Sequence, residues 1–204
     1  MFDFGKYDVY SVYGSKYCYT GTNVLRNRFN IRDAGLLRKL DADISSIKQI
    51  HLIKEPVKGR FTANHLCQIH KFLFEDIYPF AGHFRREDIM KGQTRFQEFS
   101  QISGKLALLL SELKKENYLR GLDFELLIER SAHYFAELNY IHPFRECNGR
   151  VIREFMRQLY DYNGYEVNWS TVSGKELIGA MEESVYTTDS LQRLLSCILT
   201  KKIS

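Results

Sequence analysis

Apolar positions along most of this chain recur at helical rather than strand spacing. Leu36, Leu37, Leu40 and Ile44 follow the turn-like Asn30-Ile31-Arg32-Asp33 and predict a first helix with that stripe facing a core. Thr62-Ala63-Asn64 opens a second helix, whose stripe is Leu66, Ile69, His70, Leu73 and Ile77 and which ends at Tyr78-Pro79. A third runs from Ser103 to Glu116, with Leu106, Leu109, Leu110 and Leu113 inward and Glu112, Lys114, Lys115 and Glu116 outward. Asp123 caps a long fourth helix from Phe124 to Tyr140. Ile152, Phe155, Met156 and Leu159 mark a fifth, closed by Asn163-Gly164. Ser173 and Glu176 have capping-box spacing ahead of Leu177, Ile178 and Met181. Asp189-Ser190-Leu191 starts a last helix through Leu194, Leu195 and Ile198.

The helical pattern breaks in two places. Residues 1–22 scatter Tyr7, Tyr10, Tyr13, Tyr17 and Tyr19 among Gly5, Gly14 and Gly21, which predicts an irregular arm packed by its rings. Residues 87–99 set short β-prone runs around Lys91-Gly92-Gln93-Thr94, the composition of a hairpin. No repeat, low-complexity tract or long linker divides the rest. The expected architecture is an arm over 1–22 and one mostly α-helical domain over 23–204.

Composition narrows the function. With 204 residues, 44% hydrophobic and 26% charged, the chain can bury a core of ordinary size. A net charge of +4 suits a nucleotide or an acidic partner and is too weak to argue for direct binding of nucleic acid. The four cysteines, Cys18, Cys67, Cys147 and Cys197, form no C-x-x-C pair, so neither a zinc site nor a disulfide framework is expected. Met1-Phe2-Asp3-Phe4-Gly5 lacks the basic start of a signal peptide, and no run is long enough to span a membrane, so the expected location is the cytoplasm. His65 and His70 lie five apart, poor geometry for a shared metal, and read as partly buried or surface helix residues.

Candidate chemistry is concentrated in His142-Pro143-Phe144-Arg145-Glu146-Cys147-Asn148-Gly149-Arg150, followed by Arg153. His142 titrates near neutrality and can take a proton from a nucleophile. Glu146 offers the hard oxygen that holds magnesium beside substrate phosphates. Asn148-Gly149 reads as a turn opening a helix, whose N-terminal N–H groups suit an anion. Arg150 and Arg153, three apart, share a helix face and suit successive phosphates. A plainer explanation is that the stretch ends one helix and starts another, with solvated charges.

This segment resembles the signature loop of the Fic family, His-x-Phe-x-(Asp/Glu)-(Gly/Ala)-Asn-Gly-Arg-x-x-Arg, with Cys147 where the family has Gly or Ala. Tyr19-Thr20-Gly21-Thr22 is similar to the family's Tyr-Pro-Gly-Thr lead-in, and Phe80-Ala81-Gly82-His83-Phe84-Arg85 to its Trp-Ala-Gly-x-x-Arg segment. The resemblance implies a signature helix–loop–helix over residues 124–163. It also implies a hairpin flap, here Lys91, Gly92, Gln93, Thr94, Arg95 and Phe96, that docks an extended segment of a target protein. The implied activity is Mg2+-dependent transfer of AMP from ATP to a Tyr, Ser or Thr hydroxyl. His142 would be the base and Glu146 the metal ligand. Asn148, Gly149, Arg150 and Arg153 would line the phosphates, and Phe144 would pack in the core to fix the loop. Gly149 stands where a Doc-like subgroup that transfers phosphate has Lys. Transfer of UMP, GMP or phosphocholine stays open, as does a non-catalytic nucleotide- or peptide-binding module. The family's inhibitory pattern, (Ser/Thr)-x-x-x-Glu-(Gly/Asn), is not matched: the sole Glu-Asn, Glu116-Asn117, follows Glu112 rather than Ser or Thr at the required spacing. Restraint then comes from a separate antitoxin supplying the Glu, or is absent in an exported effector.

Overall fold

Four side chains set the helix starts by accepting a backbone N–H three residues on: Asp33 from Leu36, Thr62 from His65, Asp123 from Leu126 and Ser173 from Glu176. The computed structural model describes residues 14–92 and 94–202. Gln93 and residues 1–13, with Gly5, Tyr7, Tyr10 and Tyr13 of the expected arm, lie outside the described residues. The elements in order are α1 (Ala34–Lys54), α2 (Ala63–Phe74), β1 (Met90–Lys91), β2 (Thr94–Arg95), α3 (Ile102–Lys115), α4 (Phe124–Ile141), α5 (Asn148–Tyr162), β3 (Tyr165–Val167), α6 (Gly174–Glu183), α7 (Asp189–Ile198) and β4 (Leu199–Lys201).

Helices α4 and α5 pack on each other, with α2 against α5, α3 and α7 against α4, and α1 against α2. Leu66, Ile69 and Leu73 of α2, Ala132, Phe135 and Leu138 of α4, and Val151, Phe155 and Leu159 of α5 meet in one buried cluster. Burying each larger side chain contributes roughly 1.5–3 kcal/mol, so this cluster fixes the angle at which α4 hands over to α5.

Two expectations from the sequence are corrected. The inward face of α1 is Leu37, Asp41, Ser45 and Leu52, whereas Leu36 is 55% exposed and Ile47 60%. Of the expected stripe Leu37 is buried and Leu40 and Ile44 are half-buried, so only Leu36 is misplaced. The pattern missed Asp41 and Ser45 because they are polar side chains that serve the loop before α5. The chain also has a second hairpin, β3 with β4, pairing Tyr165 with Lys201 and Val167 with Leu199. Its paired residues are 36 apart in sequence at one end and 32 at the other, so no local turn signal announces it.

The flap hairpin is short. Met90 pairs with Arg95 and Lys91 with Thr94, and Gly92 in the turn has φ +56°. Phe96 N–H extends the ladder to Ile89 O at 3.3 Å, and the two buried side chains pack as a small cluster of their own.

Candidate active site

Helix α4 ends because its C-cap residue, His142, turns left-handed at φ +47°. The turn aims the imidazole back over the helix end, where Nδ1 lies 2.9 Å from Asn139 O. A carbonyl only accepts, so in the neutral ring Nδ1 carries the proton and Nε2 is the basic nitrogen. The Phe96 ring stacks on the imidazole at 3.8 Å, fixing its plane from the flap side.

The loop between α4 and α5 is held from within by Asn148. Its Oδ1 accepts from Phe144 N–H and its Nδ2 donates to Phe144 O, both at 2.8 Å. Phe144 is fully buried and stacks on His70 at 4.0 Å. His70 is itself wholly buried, where a partly buried or surface place was expected, and His65 is buried too. Gly82 N–H donates to His70 Nδ1 at 2.8 Å, so the ring proton sits on Nε2, which faces Glu146 O at 3.3 Å. Burial pulls the His70 pKa down to about 3, keeping the ring neutral. Gly82 is required there: at φ +83° an added β-carbon would meet Lys71 Cβ at 2.9 Å.

Two of the expected phosphate ligands are turned toward protein. Asn148 spends its amide on the loop, as above. Arg150 is gripped by α1: Nη1 donates to Asp41 Oδ1 at 2.5 Å and Ser45 Oγ at 2.7 Å. Nη2 donates to Asp41 Oδ2 and to Cys147 Sγ, both at 3.1 Å, and the guanidinium lies 4.6 Å from the centre of the Phe74 ring. Arg153, half-buried, lies over the first turn of α5, where a β-carbon on Gly149 would come within 3.2 Å of its Nη1. A bare Gly149 leaves that space to the guanidinium.

Cys147 is the N-cap of α5 and has φ +70°. The left-handed conformation that Gly would adopt at no steric cost is therefore demanded of a cysteine. Burial raises the thiol pKa well above its usual value, so it stays an S–H.

Glu146 is buried beside Arg145, whose Nη1 lies 3.9 Å from Glu146 Oε2. Among the described residues no group of three or more His, Cys, Asp or Glu side chains could hold a metal. One carboxylate nevertheless suits magnesium, which takes most of its ligands from phosphates and water.

Two arginines that the sequence reading left without a role brace the site. Buried Arg145 donates to Glu87 Oε1 at 2.8 Å, where Ser15 Oγ also donates at 2.6 Å. Arg85, 2% exposed, donates to His142 O at 2.9 Å, Glu87 O at 2.8 Å and Ile141 O at 3.3 Å, and also to Gln97 O. It thus ties both feet of the flap to the end of α4. The signal for Arg85 was its place in the Trp-Ala-Gly-x-x-Arg resemblance.

Comparison with known proteins bears on the family and the fold. Residues 60–160 match the Fic/DOC family. A Salmonella typhimurium protein named "Probable protein adenylyltransferase Fic" is 38% identical over 158 residues, covering 77% of this chain and 78% of the relative. The chain belongs to the Fic/DOC family. A second Fic relative, "Protein adenylyltransferase VbhT" of Bartonella schoenbuchensis, is 36% identical over 174 residues, or 85% of this chain; the chain spans 36% of that relative's length. Among solved Fic folds, the BepC effector of Bartonella tribocorum with bound AMPPNP superposes with a TM-score of 0.86 at 27% identity, covering 92% of this chain and 97% of that one. A Bartonella quintana Fic domain with bound ADP gives 0.84 at 26% identity, covering 91% and 95%.

Proposed function

We propose that this chain is a protein adenylyltransferase that moves AMP from ATP onto a hydroxyl side chain of a target protein. The observation that carries the reading is His142, whose Nδ1–H is tied to Asn139 O so that Nε2 becomes the base beside the N-terminus of α5. The target oxygen attacks the α-phosphorus, the bond to the bridging oxygen breaks, and pyrophosphate leaves with the electron pair. The hydroxyl proton passes to Nε2 of His142. The N–H groups at the start of α5 and Arg153 meet the phosphate charge. A magnesium ion, when bound, would neutralise phosphate charge, and Glu146 is the residue that would hold it. Likeness to structures holding AMPPNP and ADP supports ATP as the nucleotide. The flap segment Lys91–Phe96 lines up an extended piece of the target by strand addition.

The partner that restrains the enzyme is read as a separate antitoxin bringing a Glu to Arg153. Glu116 is engaged by Arg130 at 2.5 Å. The outer face of α1 exposes Leu36, Ile47, Ile50 and Ile53, the kind of surface an amphipathic helix covers. No helix among the described residues is long and apolar enough to cross a membrane. The proposed place of action is the cytoplasm, either of the producing cell or of one into which the protein is delivered.

The test is transfer of label from α-labelled ATP into lysate proteins. His142→Ala should lose on the order of a hundredfold to ten-thousandfold in transfer while still binding nucleotide by calorimetry. Near-normal transfer by that variant sinks the base assignment. Label arriving only from γ-labelled ATP would mean phosphate transfer instead, and label from neither would favour a binding module.

A further inference from the structure

Arg150 is tied to a side chain 109 residues earlier in the chain. A guanidinium has four terminal N–H bonds, and the partners of Arg150 account for that number: Asp41 Oδ1 and Ser45 Oγ at Nη1, Asp41 Oδ2 and Cys147 Sγ at Nη2. Asp41 is itself wholly buried and also accepts from Tyr78 O–H at 2.8 Å, with the Cys147 thiol 3.8 Å away. Four segments therefore converge on one carboxylate: α1, the turn after α2, the signature loop and α5.

We propose that Asp41 is the positioning residue for the anion hole, acting through Arg150. Arg150 is the third residue of α5. Fixing its side chain against α1 fixes the first turn of α5, whose N–H groups the phosphates face. The pair is a stay rather than a ligand: a buried carboxylate without its guanidinium is an uncompensated charge, so the two are retained or lost together. Contact with the phosphates falls to Arg153 and the amides of α5, and Arg150 serves geometry. The inference rests on the reading that this loop holds the nucleotide phosphates.

A double-mutant cycle on the full chain tests it, with Asp41→Asn, Arg150→Met and the double variant measured for AMPPNP binding, for kcat and KM, and for Tm. Misplacing reacting groups by about an ångström costs on the order of a hundredfold, so each single variant should lose about tenfold to a hundredfold in kcat, with KM for ATP moving less than about threefold. The double variant should be no slower than the slower single. Multiplying losses overturn the proposal, as does an Arg150→Met that raises KM or the AMPPNP Kd about tenfold while Asp41→Asn leaves both alone. Should Asp41→Asn not fold, Ser45→Ala carries the test, because it removes one Arg150 contact and leaves no charge unpaired. About a threefold fall in kcat at unchanged KM and Tm is expected, and an unchanged kcat overturns the proposal. A wild-type chain that binds no AMPPNP overturns the phosphate reading beneath it, and that titration tells the two failures apart.

Discussion

Cys147 sits at the point where backbone and side chain make opposite demands. Its φ of +70° costs an L-residue about 1–2 kcal/mol, a strain that Gly, one of the two residues in the family pattern there, avoids. In return the thiol fills a buried space, accepting from Arg150 at 3.1 Å and lying 3.8 Å from Asp41. Cys147→Gly relieves the strain and loses those contacts, two effects of similar size. Cys147→Ala loses the contacts and keeps the strain. Denaturant unfolding should therefore rank Ala below Gly, by about 1 kcal/mol. The reverse order would mean that the turn is not strained. The family pattern marked this position in the sequence, yet only the structure shows that the cysteine accepts the left-handed turn.

At the scale of elements, the flap is the least supported piece, with two residues in each strand. Its stability comes from its feet: Arg85 beneath, and Phe96 stacked on His142. Thr94→Pro removes an N–H where the strand pairs with Lys91. Target labelling should fall about tenfold or more, while AMPPNP affinity stays within about twofold, since the proposed nucleotide contacts lie on α5. Equal losses in both would argue against strand addition. The helices were legible because capping residues and apolar periodicity are local signals. Asp33, Thr62, Asp123 and Ser173 each cap the helix they announced. What escaped the sequence was non-local. The β3–β4 pairing joins segments with a helix pair between them. The polar inner face of α1 is intelligible only once Arg150 is known to lie against it. His70 reads from sequence as a partly buried or surface residue on the stripe of its helix, because its partners, Gly82 N–H and the carbonyl of Glu146, are distant in sequence and both main chain.

For the molecule as a whole, two buried imidazoles set its response to acid. His70 titrates near 3 in the fold and near 6.5 when unfolded, its charge disfavoured first by burial and then by Arg150 and His83. The unfolded chain thus takes up a proton below pH 6.5 that the fold refuses. Stability is complete above that pH and is lost as pH falls toward 3, with a slope of up to about 1.4 kcal/mol per pH unit per histidine. His65 is shifted the same way, again by burial. His70→Phe should keep the stacking on Phe144 and flatten the fall in urea midpoint between pH 6.5 and 4.5 relative to wild type. Parallel curves would mean that His70 is protonated in the fold.

The anchoring of Arg150 by Asp41 also bears on where the portable unit of this protein begins. The stretch recognised by family similarity starts at residue 60, after α1 has ended. A fragment cut at that border would keep every side chain of the signature and forfeit the carboxylate that sets one of them, along with the buried Leu37 and Leu52. The motif is thus not a cassette. Grafting it onto another scaffold, or trimming this chain to its recognisable segment, has to carry the helix from Asp33 onward.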